Sequence, residues 1–401
     1  MRIIFAVHTY YPAHNGVQAI TQYMAEGLAK LHHEIMVISE KKNGFVEQEE
    51  HNGISIYRIG VKQKGFKFYG DKDKFFELIR AYAPDAFVAV CTQSWPFDWM
   101  ISELDNIKCV KVLYTHGFTA YMQHYPIWSD LVRLHLRAFQ YHWYWKKYYH
   151  RAFRYMKKYD VVVHLSAGNS SVAYADKHGL SNGVIIENAV EDSFFENSVL
   201  LDNGHFKCDK NVRFIYVANY DSNKNQKELL RAFYSSAIPG STITFIGGTD
   251  NQYYKELVEE NENLKKTGQQ ICVNILYGIP REEISTYLSD SDIFVCTSKH
   301  EEYPVMLCEA AAKGLAVISS NVGHAREMDG CIVAESIEEF IDAMRYLAQN
   351  PDIRYNNGKK LRQYAELHCR RQDKIRQFND VIENTVYKRI KAVSYTHLRA
   401  H

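Results

Sequence analysis

Short runs of apolar, mostly β-branched residues recur along the chain and alternate with stretches of helical periodicity. In the first half these runs are 3–7, 34–39, 54–59, 86–90, 110–115, 161–165 and 184–187. In the second half they are 214–218, 242–247, 272–277, 293–297, 316–319 and 331–333. Continuously apolar strands that alternate with amphipathic helices are typical of parallel sheets covered on both faces. The pattern therefore predicts an α/β protein.

A polar interval separates the two series of strands. Residues 191–211 have no strand pattern and contain Asp-Asn-Gly at 202–204, whereas a second series of strands and helices begins at Val212. A chain of 401 residues is long enough for two domains of ordinary size. We therefore predict two doubly wound domains, at 1–190 and 212–371, joined by a linker at 191–211.

Composition narrows the class of protein only a little. The formal net charge is +1, so the global charge does not indicate a nucleic-acid partner. The eight cysteines form no Cys-x-x-Cys pair, which argues against a disulfide framework or a zinc site. Because the sequence has neither a signal-peptide pattern nor a run of 18 apolar residues, we expect a cytoplasmic protein. Residues 394–401 (SYTHLRAH) resemble a translated sequencing adapter, and we expect a non-native tail there.

The most informative segment is 297–328, which reads TSKHEEYPVMLCEAAAKGLAVISSNVGHAREM after an apolar strand. Pro304 favours the first turn of a helix and Gly314 favours its left-handed end. A helix N-terminus offers free N–H groups to a phosphate, and a nearby carboxylate can accept hydrogen bonds from sugar hydroxyls. Glu301 and Glu309 are therefore candidates for binding a sugar nucleotide. The alternative is two ordinary surface glutamates.

This segment resembles the E-x7-E signature of the retaining glycosyltransferases of family 4, which belong to the glycosyl transferases group 1. The matching residues are Ser298, Glu301, Tyr303-Pro304, Glu309-Ala310 and Gly314. The resemblance implies that Glu301 contacts the hydroxyls of the donor sugar and that Glu309 contacts the ribose, with Tyr303 and Pro304 beside the donor. Gly323 and Glu327 also match the family, but His324 replaces the second glycine of a pair.

The start of the second domain carries a further match. The family has Gly-Arg after the first strand of this domain and Lys-Gly further on, with Arg and Lys on the donor diphosphate. This chain keeps Lys224, but it has Ala218-Asn219 in place of Gly-Arg and Asn225 in place of Gly. A cation beside a leaving diphosphate stabilises the developing charge. Lys224 is therefore the principal diphosphate candidate, and the alternative is a solvated loop lysine.

Two positions in the first domain match the family. Gly16 precedes a predicted helix where the family has the second of two glycines, and Asn15 replaces the first. Glycine there permits close approach of the backbone to a ligand, although a plain turn glycine is the alternative. His116 ends a predicted strand where the family often has a histidine that meets the transferred sugar. A lone histidine is otherwise more often structural.

The segment 121–159 is unusual because it holds thirteen aromatic residues, eight Lys or Arg residues and a single acidic residue. Basic residues interleaved with tryptophan are typical of contact with an anionic bilayer surface. We predict contact with a membrane or a lipid-linked acceptor here. The candidate residues are Trp128, Trp143, Trp145, Lys146 and Lys147. The alternative is a packed pair of aromatic helices with a solvated basic face.

Two acidic pairs resemble a metal-binding Asp-x-Asp motif, at 71–73 and 290–292. The second pair precedes a strand, at the opposite end from the ligand-binding edge of a parallel sheet. We therefore expect no metal and no cofactor other than the nucleotide-sugar co-substrate. The first domain also lacks a Gly-x-Gly-x-x-Gly fingerprint, which argues against a nicotinamide oxidoreductase.

The resemblance covers residues 1–391 and implies the GT-B fold, with two facing Rossmann-like domains, parallel sheets and an active site in the cleft between them. It also implies that a helix at 372–391 crosses back to the first domain. The expected reaction is a hexosyltransferase-type transfer (EC 2.4), in cell-surface polysaccharide synthesis at the inner face of the membrane. The acceptor would be a glycan or a lipid-linked sugar bound by the first domain.

Two other functions fit the sequence. A sugar-nucleotide epimerase of the same fold would turn over its substrate without any acceptor. A catalytically silent subunit would bind the nucleotide sugar without transfer, which the departures at Asn15, Asn219 and His324 favour.

Overall fold

The computed structural model of the protein describes residues 1–12, 16–118, 136–198, 211–266, 268 and 270–399, with side chains to residue 391. The chain forms two compact units. The first consists of Met1–Glu187 together with Gln372–His401, and the second is Asn188–Arg371. No helix in the described parts of the chain is both long enough and apolar enough to cross a membrane.

The first unit is built on an eight-stranded sheet in the order β10-β9-β8-β7-β1-β2-β4-β3. All neighbouring strands are parallel except β3, which pairs antiparallel with β4. Two further strands, β5 and β6, form a separate antiparallel pair. The strands are β1 Arg2–Ala6, β2 Glu34–Glu40, β3 Gln48–His51, β4 Ile54–Ile59, β5 Val61–Lys64, β6 Lys67–Gly70, β7 Ala86–Val90, β8 Val110–Tyr114, β9 Val161–His164 and β10 Gly183–Ile185.

Helices cover this sheet because its central strands are apolar on both faces. Strands β7 and β8 are buried along their whole length, as expected for the middle of a parallel sheet. The helices are α1 Gly16–Lys30, α2 Lys72–Tyr82, α3 Trp95–Met100, α4 Leu136–Met156, α5 Ser170–Lys177 and α12 Arg371–Arg399. Phe378 of α12 packs its ring 6.1 Å from the ring of Phe5, which places this last helix on the first sheet.

The second unit contains a six-stranded parallel sheet in the order β13-β12-β11-β14-β15-β16. Its strands are β11 Arg213–Val217, β12 Thr242–Gly247, β13 Cys272–Tyr277, β14 Ile293–Cys296, β15 Ala316–Ser319 and β16 Cys331–Val333. Its helices are α6 Gln226–Ser236, α7 Gln252–Lys265, α8 Arg281–Ser289, α9 Val305–Lys313, α10 Ile337–Gln349 and α11 Pro351–His368. This is the strand order of a doubly wound nucleotide-binding sheet.

The beginning of the second unit includes part of the linker predicted at 191–211. A short 3₁₀ helix, Asp192–Phe195, buries both Phe194 and Phe195. Lys313 of α9 donates from Nζ to the carbonyl oxygen of Ser193 at 3.2 Å. These residues therefore belong to the packed body of the second unit. Residues 199–210 lie outside the described part of the chain.

Candidate active site

The second sheet reverses its strand order between β11 and β14. Lys224 lies in the loop after β11, and Glu301 lies in the loop after β14. Ligands of doubly wound sheets bind at such a reversal, beyond the carboxyl ends of the two strands. The fold thus brings these two candidate residues together at the edge where a ligand is expected.

Lys224 and Glu301 form an ion pair between Nζ and Oε1. Each side chain is only 15% exposed, so the pair is largely shielded from water. The Asp221 carboxylate accepts a hydrogen bond from the backbone N–H of Lys224 at 3.0 Å. The Tyr216 hydroxyl donates to the carbonyl oxygen of Lys224 at 3.1 Å. A cation and a carboxylate fixed in this way can bind a diphosphate and sugar hydroxyls respectively.

The loops that carry this pair are joined by hydrogen bonds. The backbone N–H of Lys299 donates to the carbonyl oxygen of Asn223 at 2.7 Å, and the side-chain Nδ2 of Asn223 donates to the carbonyl oxygen of His300 at 2.9 Å. Asn225 has φ 61°, in the left-handed region. Asparagine is one of the few side chains that tolerate this region, which explains how it can replace the glycine of the family.

The loop before α9 has the geometry expected from its sequence. Helix α9 begins directly after Pro304 and ends at Lys313, and Gly314, with φ 79°, caps its C-terminus. Gly323 has φ 52°, and its N–H donates to the carbonyl oxygen of Glu301 at 3.1 Å. A Cβ on Gly323 would lie 2.4 Å from Cδ of Pro304, so only glycine fits here.

His324, which replaces a glycine of the family, is a core residue. It is fully buried, and its ring stacks on Tyr303 at 3.9 Å with an interplanar angle of 13°. Its φ of −100° requires no glycine. The ring of Tyr303 therefore supports the loop from the inside, and a contact of Tyr303 or Pro304 with the donor stays a prediction.

Glu309 lies inside α9, and its side chain is 4% exposed. Arg281 contacts both of its carboxylate oxygens, with Nη1 donating to Oε2 at 3.1 Å and Nη2 paired with Oε1. Arg281 is the first residue of α8 and follows the loop after β13. The sequence reasoning missed this residue, although its position after a strand at the same sheet edge was a usable signal.

His116 follows β8 in the first unit and has φ 52°, a strained conformation for a residue with a side chain. Its ring stacks on Tyr114 at 4.4 Å. Within the described residues, its buried Nε2 has no hydrogen-bond partner. Burial lowers the pKa of His116 to about 4, so the imidazole is neutral near pH 7. It can therefore donate a hydrogen bond to a sugar hydroxyl or accept one from it, but it cannot serve as a cation.

The first sheet also reverses its strand order, between β1 and β7. In the loop after β7, Cys91 has φ 66° and Gln93 has φ 58°. Among the described residues, neither the buried Tyr10 hydroxyl after β1 nor the buried Gln93 Nε2 has a partner. Strained backbone and unpaired polar groups concentrate at functional sites. The sequence pattern did not reveal these residues, because backbone dihedral angles leave no signature in it.

Gly16 is the first residue of α1 and is exposed, with no atom within 4 Å of the position where a Cβ would stand. An approaching ligand would therefore meet open backbone here. Asn15 lies outside the described residues.

Helix α4 presents some of its aromatic and basic residues to solvent and packs others against the core of the first unit. Trp143 is 52% exposed, and Nζ of Lys147 lies 5.1 Å from the centre of its ring. Lys146 and Lys147 are exposed. Trp145 is half-buried and packs its ring 5.8 Å from Phe66, against the core of the first unit. The predicted membrane contact therefore rests on Trp143 and the lysines rather than on Trp145. Trp128 lies outside the described residues.

One aspartate of each acidic pair has a structural partner. Asp292 accepts a hydrogen bond from the N–H of Arg213 at 2.8 Å, and Asp71 accepts one from the N–H of Gly60 at 2.8 Å. Among the described residues, no three His, Cys, Asp or Glu side chains are grouped as metal ligands would be.

Residues 201–367 match the model of the family described as Glycosyl transferases group 1. This part of the chain is a glycosyl transferases group 1 domain. The matched interval contains Lys224, Arg281, Glu301 and Glu309, so the residues at the edge of the second sheet all belong to this domain.

Several solved structures are similar to this chain over nearly its whole length. A sucrose-phosphate synthase from Thermosynechococcus elongatus is 14% identical with a TM-score of 0.71, over 98% of this chain and 99% of that one. A glycosyltransferase from Rickettsia africae is 16% identical with a TM-score of 0.71, over 96% and 98%. HepE from Anabaena, solved in complex with UDP-glucose, is 13% identical with a TM-score of 0.69, over 96% and 100%. These similarities confirm the predicted α/β class and GT-B fold.

One curated protein also resembles this chain. It is an uncharacterized 41.2 kDa protein in the cps region of Klebsiella pneumoniae, 21% identical over 189 residues. The matched part is 44% of this chain, and the chain spans about half (49%) of the length of that relative.

Proposed function

We propose that the chain is a retaining glycosyltransferase that moves a sugar from a nucleotide-sugar donor to a glycan or lipid-linked acceptor. The observation that carries this proposal is the Lys224–Glu301 pair, which lies at the strand reversal of a glycosyl transferases group 1 domain. The structural similarity to HepE, which was solved with UDP-glucose, supports a nucleotide-sugar donor. The relative in the cps region of Klebsiella pneumoniae supports a role in cell-surface polysaccharide synthesis.

Four of the candidate residues have defined roles in this proposal. Lys224 binds the donor diphosphate and stabilises the charge that develops on it as the glycosidic bond breaks. Glu301 accepts hydrogen bonds from the sugar, and Glu309 accepts them from the ribose. His116, neutral at pH 7, contacts the transferred sugar. The acceptor hydroxyl attacks from the face that the leaving diphosphate vacates, and its proton passes to a diphosphate oxygen. A covalent sugar–enzyme adduct would contradict this step.

The test is release of nucleoside diphosphate from UDP-, GDP- and ADP-sugars, with and without free-sugar and polyprenyl-linked acceptors. Lys224→Met should lower kcat/KM for the donor by about 100-fold to 1000-fold, as losing one preorganised charge-stabilising group does. Lys227→Met is the matched control, because Lys227 pairs with Glu256. Lys224→Met activity within twofold of wild type would contradict the assignment. Epimerisation of the sugar nucleotide without any acceptor would favour the epimerase. Binding of the sugar nucleotide without turnover would favour the silent subunit.

We further propose that α4 holds the first unit against the anionic inner face of the membrane. Exposed Lys146, Lys147, Arg151 and Arg154 share the helix surface with Trp143. Each cation near an anionic surface contributes about 1 kcal/mol, and salt screens this attraction. Co-sedimentation with vesicles of phosphatidylglycerol and phosphatidylcholine should fall when both lysines become glutamate. Equal binding of this variant and wild type would contradict the proposal, and Lys255→Glu, exposed on α7, is the control.

A further inference from the structure

The Glu309 carboxylate is a buried charge whose immediate counter-ion is Arg281. Both carboxylate oxygens are contacted by the guanidinium, in a side-by-side arrangement that fixes the plane of the carboxylate. Bidentate pairs of this kind are more directional than a single lysine contact. Each oxygen keeps a second lone pair, which can accept one further hydrogen bond.

Arg281 is itself held by residues of the same unit. Its Nε lies 3.5 Å from Oε1 of Glu191, and its guanidinium lies 4.8 Å from the centre of the Phe194 ring. Glu191 is in turn 3.4 Å from Nη2 of Arg371. Because the guanidinium has a carboxylate on two sides and an aromatic face beside it, its orientation is set before any ligand arrives.

Arg281 offsets the energetic cost of a carboxylate near a diphosphate site. Without a partner, a buried carboxylate would be costly, and it would also repel the diphosphate that binds at the same sheet edge. With Arg281 bound, the pair is neutral overall and the oxygens stay in a single geometry. Two adjacent acceptors of fixed orientation are complementary to the 2′- and 3′-hydroxyls of a ribose.

We propose that Arg281 is a positioning residue that makes this site select ribonucleotides, by holding the Glu309 carboxylate where the ribose diol reaches it. This inference rests on the proposed function, since it takes the donor to be a nucleotide sugar bound at this edge. It adds a residue outside the E-x7-E segment to the determinants of donor specificity.

The test is calorimetric titration of the full chain with UDP, GDP and ADP, followed by the 2′,3′-dideoxy form of whichever binds. Wild type should prefer the ribonucleotide by about tenfold or more, because hydrogen bonds to a charged group are lost in the dideoxy form. Arg281→Gln should reduce this preference to about twofold. Arg281→Lys should give an intermediate value, since it keeps the charge but not the bidentate geometry.

Arg231→Gln is the matched control, because Arg231 on α6 pairs with Glu260 away from this edge. It should keep the wild-type preference. If Arg281 were merely structural, Arg281→Gln would weaken the binding of the ribonucleotide and of the dideoxynucleotide equally. An unchanged ratio of the two affinities in Arg281→Gln would therefore overturn the inference while leaving the proposed function standing. A wild type that binds nucleotide without any ribose preference would also overturn it. If none of the three diphosphates binds wild type, the proposed function fails and this inference with it.

Discussion

At the scale of single residues, two histidines at the edge of the first sheet are kept neutral by burial. His164 ends β9, and its Nδ1 lies 2.6 Å from the hydroxyl of Ser171. Desolvation by burial lowers the pKa of His164 and of His116 to about 4. A neutral imidazole can hydrogen-bond a hydroxyl but carries no positive charge that would attract an anion. Because the two imidazoles are neutral only in the folded protein at mildly acid pH, the free energy of unfolding depends on pH.

The free energy of unfolding should fall as the pH is lowered from about 6.5 to about 4. Unfolded histidine binds a proton near pH 6.5, whereas folded His116 and His164 do so only near pH 4. Between these values the unfolded chain binds more protons, so acid favours unfolding. Urea unfolding at pH 7.5 and 5.0 measures this, and His164→Asn should show a smaller difference than wild type.

The matched control is His150→Asn, at an exposed position on α4, which should keep the wild-type pH dependence. If His164→Asn lost as much stability on acidification as wild type, burial of this imidazole would not be the cause.

Some residues of the candidate site could be predicted from the sequence because their position after a strand is a local feature. Others could not, because they are known only by a distant contact or by a backbone angle. Lys224 and Glu301 stand in loops directly after apolar strands, so the pattern alone predicts their place at the sheet edge. Arg281 is defined by its contact with Glu309, 28 positions along the chain, and no local spacing encodes such a pair. Gln93 is distinguished by its positive φ, which a sequence pattern does not show.

At the scale of elements, the candidate site depends most on the strand–loop–helix segment from β14 to α9. Pro304 and Gly314 allowed the bounds of α9 to be predicted, because each residue has a defined place at a helix end. The short strands β3 and β5 were not predicted. They read QEEH and VKQK, and such polar edge strands carry no run of apolar residues. Edge strands need only one partner, so their sequences are less constrained.

Gly323→Ala should destabilise the loop before α9. The substitution forces a side chain into φ 52° and places a Cβ 2.4 Å from Cδ of Pro304. We expect a loss of about 2–3 kcal/mol in the free energy of unfolding, together with weaker donor binding. Gly278→Ala isolates the clash, because Gly278 has φ 68° but no atom within 4 Å of the added Cβ. That control should lose only about 1 kcal/mol. Equal losses in the two variants, measured by urea unfolding, would show that the contact with Pro304 is unimportant.

At the scale of the whole molecule, the chain forms one doubly wound unit, then a second, and its last helix joins the first. Residues 372–401 group with Met1–Glu187 although nearly two hundred residues of the second unit lie between them. The fold class followed from the alternation of strands and helices, and it is confirmed. Contacts of the last helix could not be predicted, because they depend on which residues of a distant helix come close.

Gly27 of α1 permits the close approach of α12. A Cβ on Gly27 would lie 2.3 Å from Cδ1 of Ile375. Gly27→Leu should therefore lower the free energy of unfolding by about 1–3 kcal/mol through overpacking. Ile375→Ala in the same chain should restore part of this loss, and the two substitutions should couple by about 1 kcal/mol or more. Ala19→Leu, at an exposed position of α1, should be nearly neutral. Strictly additive effects in urea unfolding would contradict the packing of α12 on α1.

The most direct test of the central claim is a thermal shift of wild type and Glu309→Ala against a panel of sugar nucleotides. A ligand that binds only the folded protein must raise the melting temperature. We predict that one sugar nucleotide raises it by several degrees in wild type and in the control Glu335→Ala, whose exposed side chain pairs with Arg326. Glu309→Ala should lose this response. If no sugar nucleotide stabilises wild type, or if Glu309→Ala responds as wild type does, the assignment of the second unit as the donor site is contradicted.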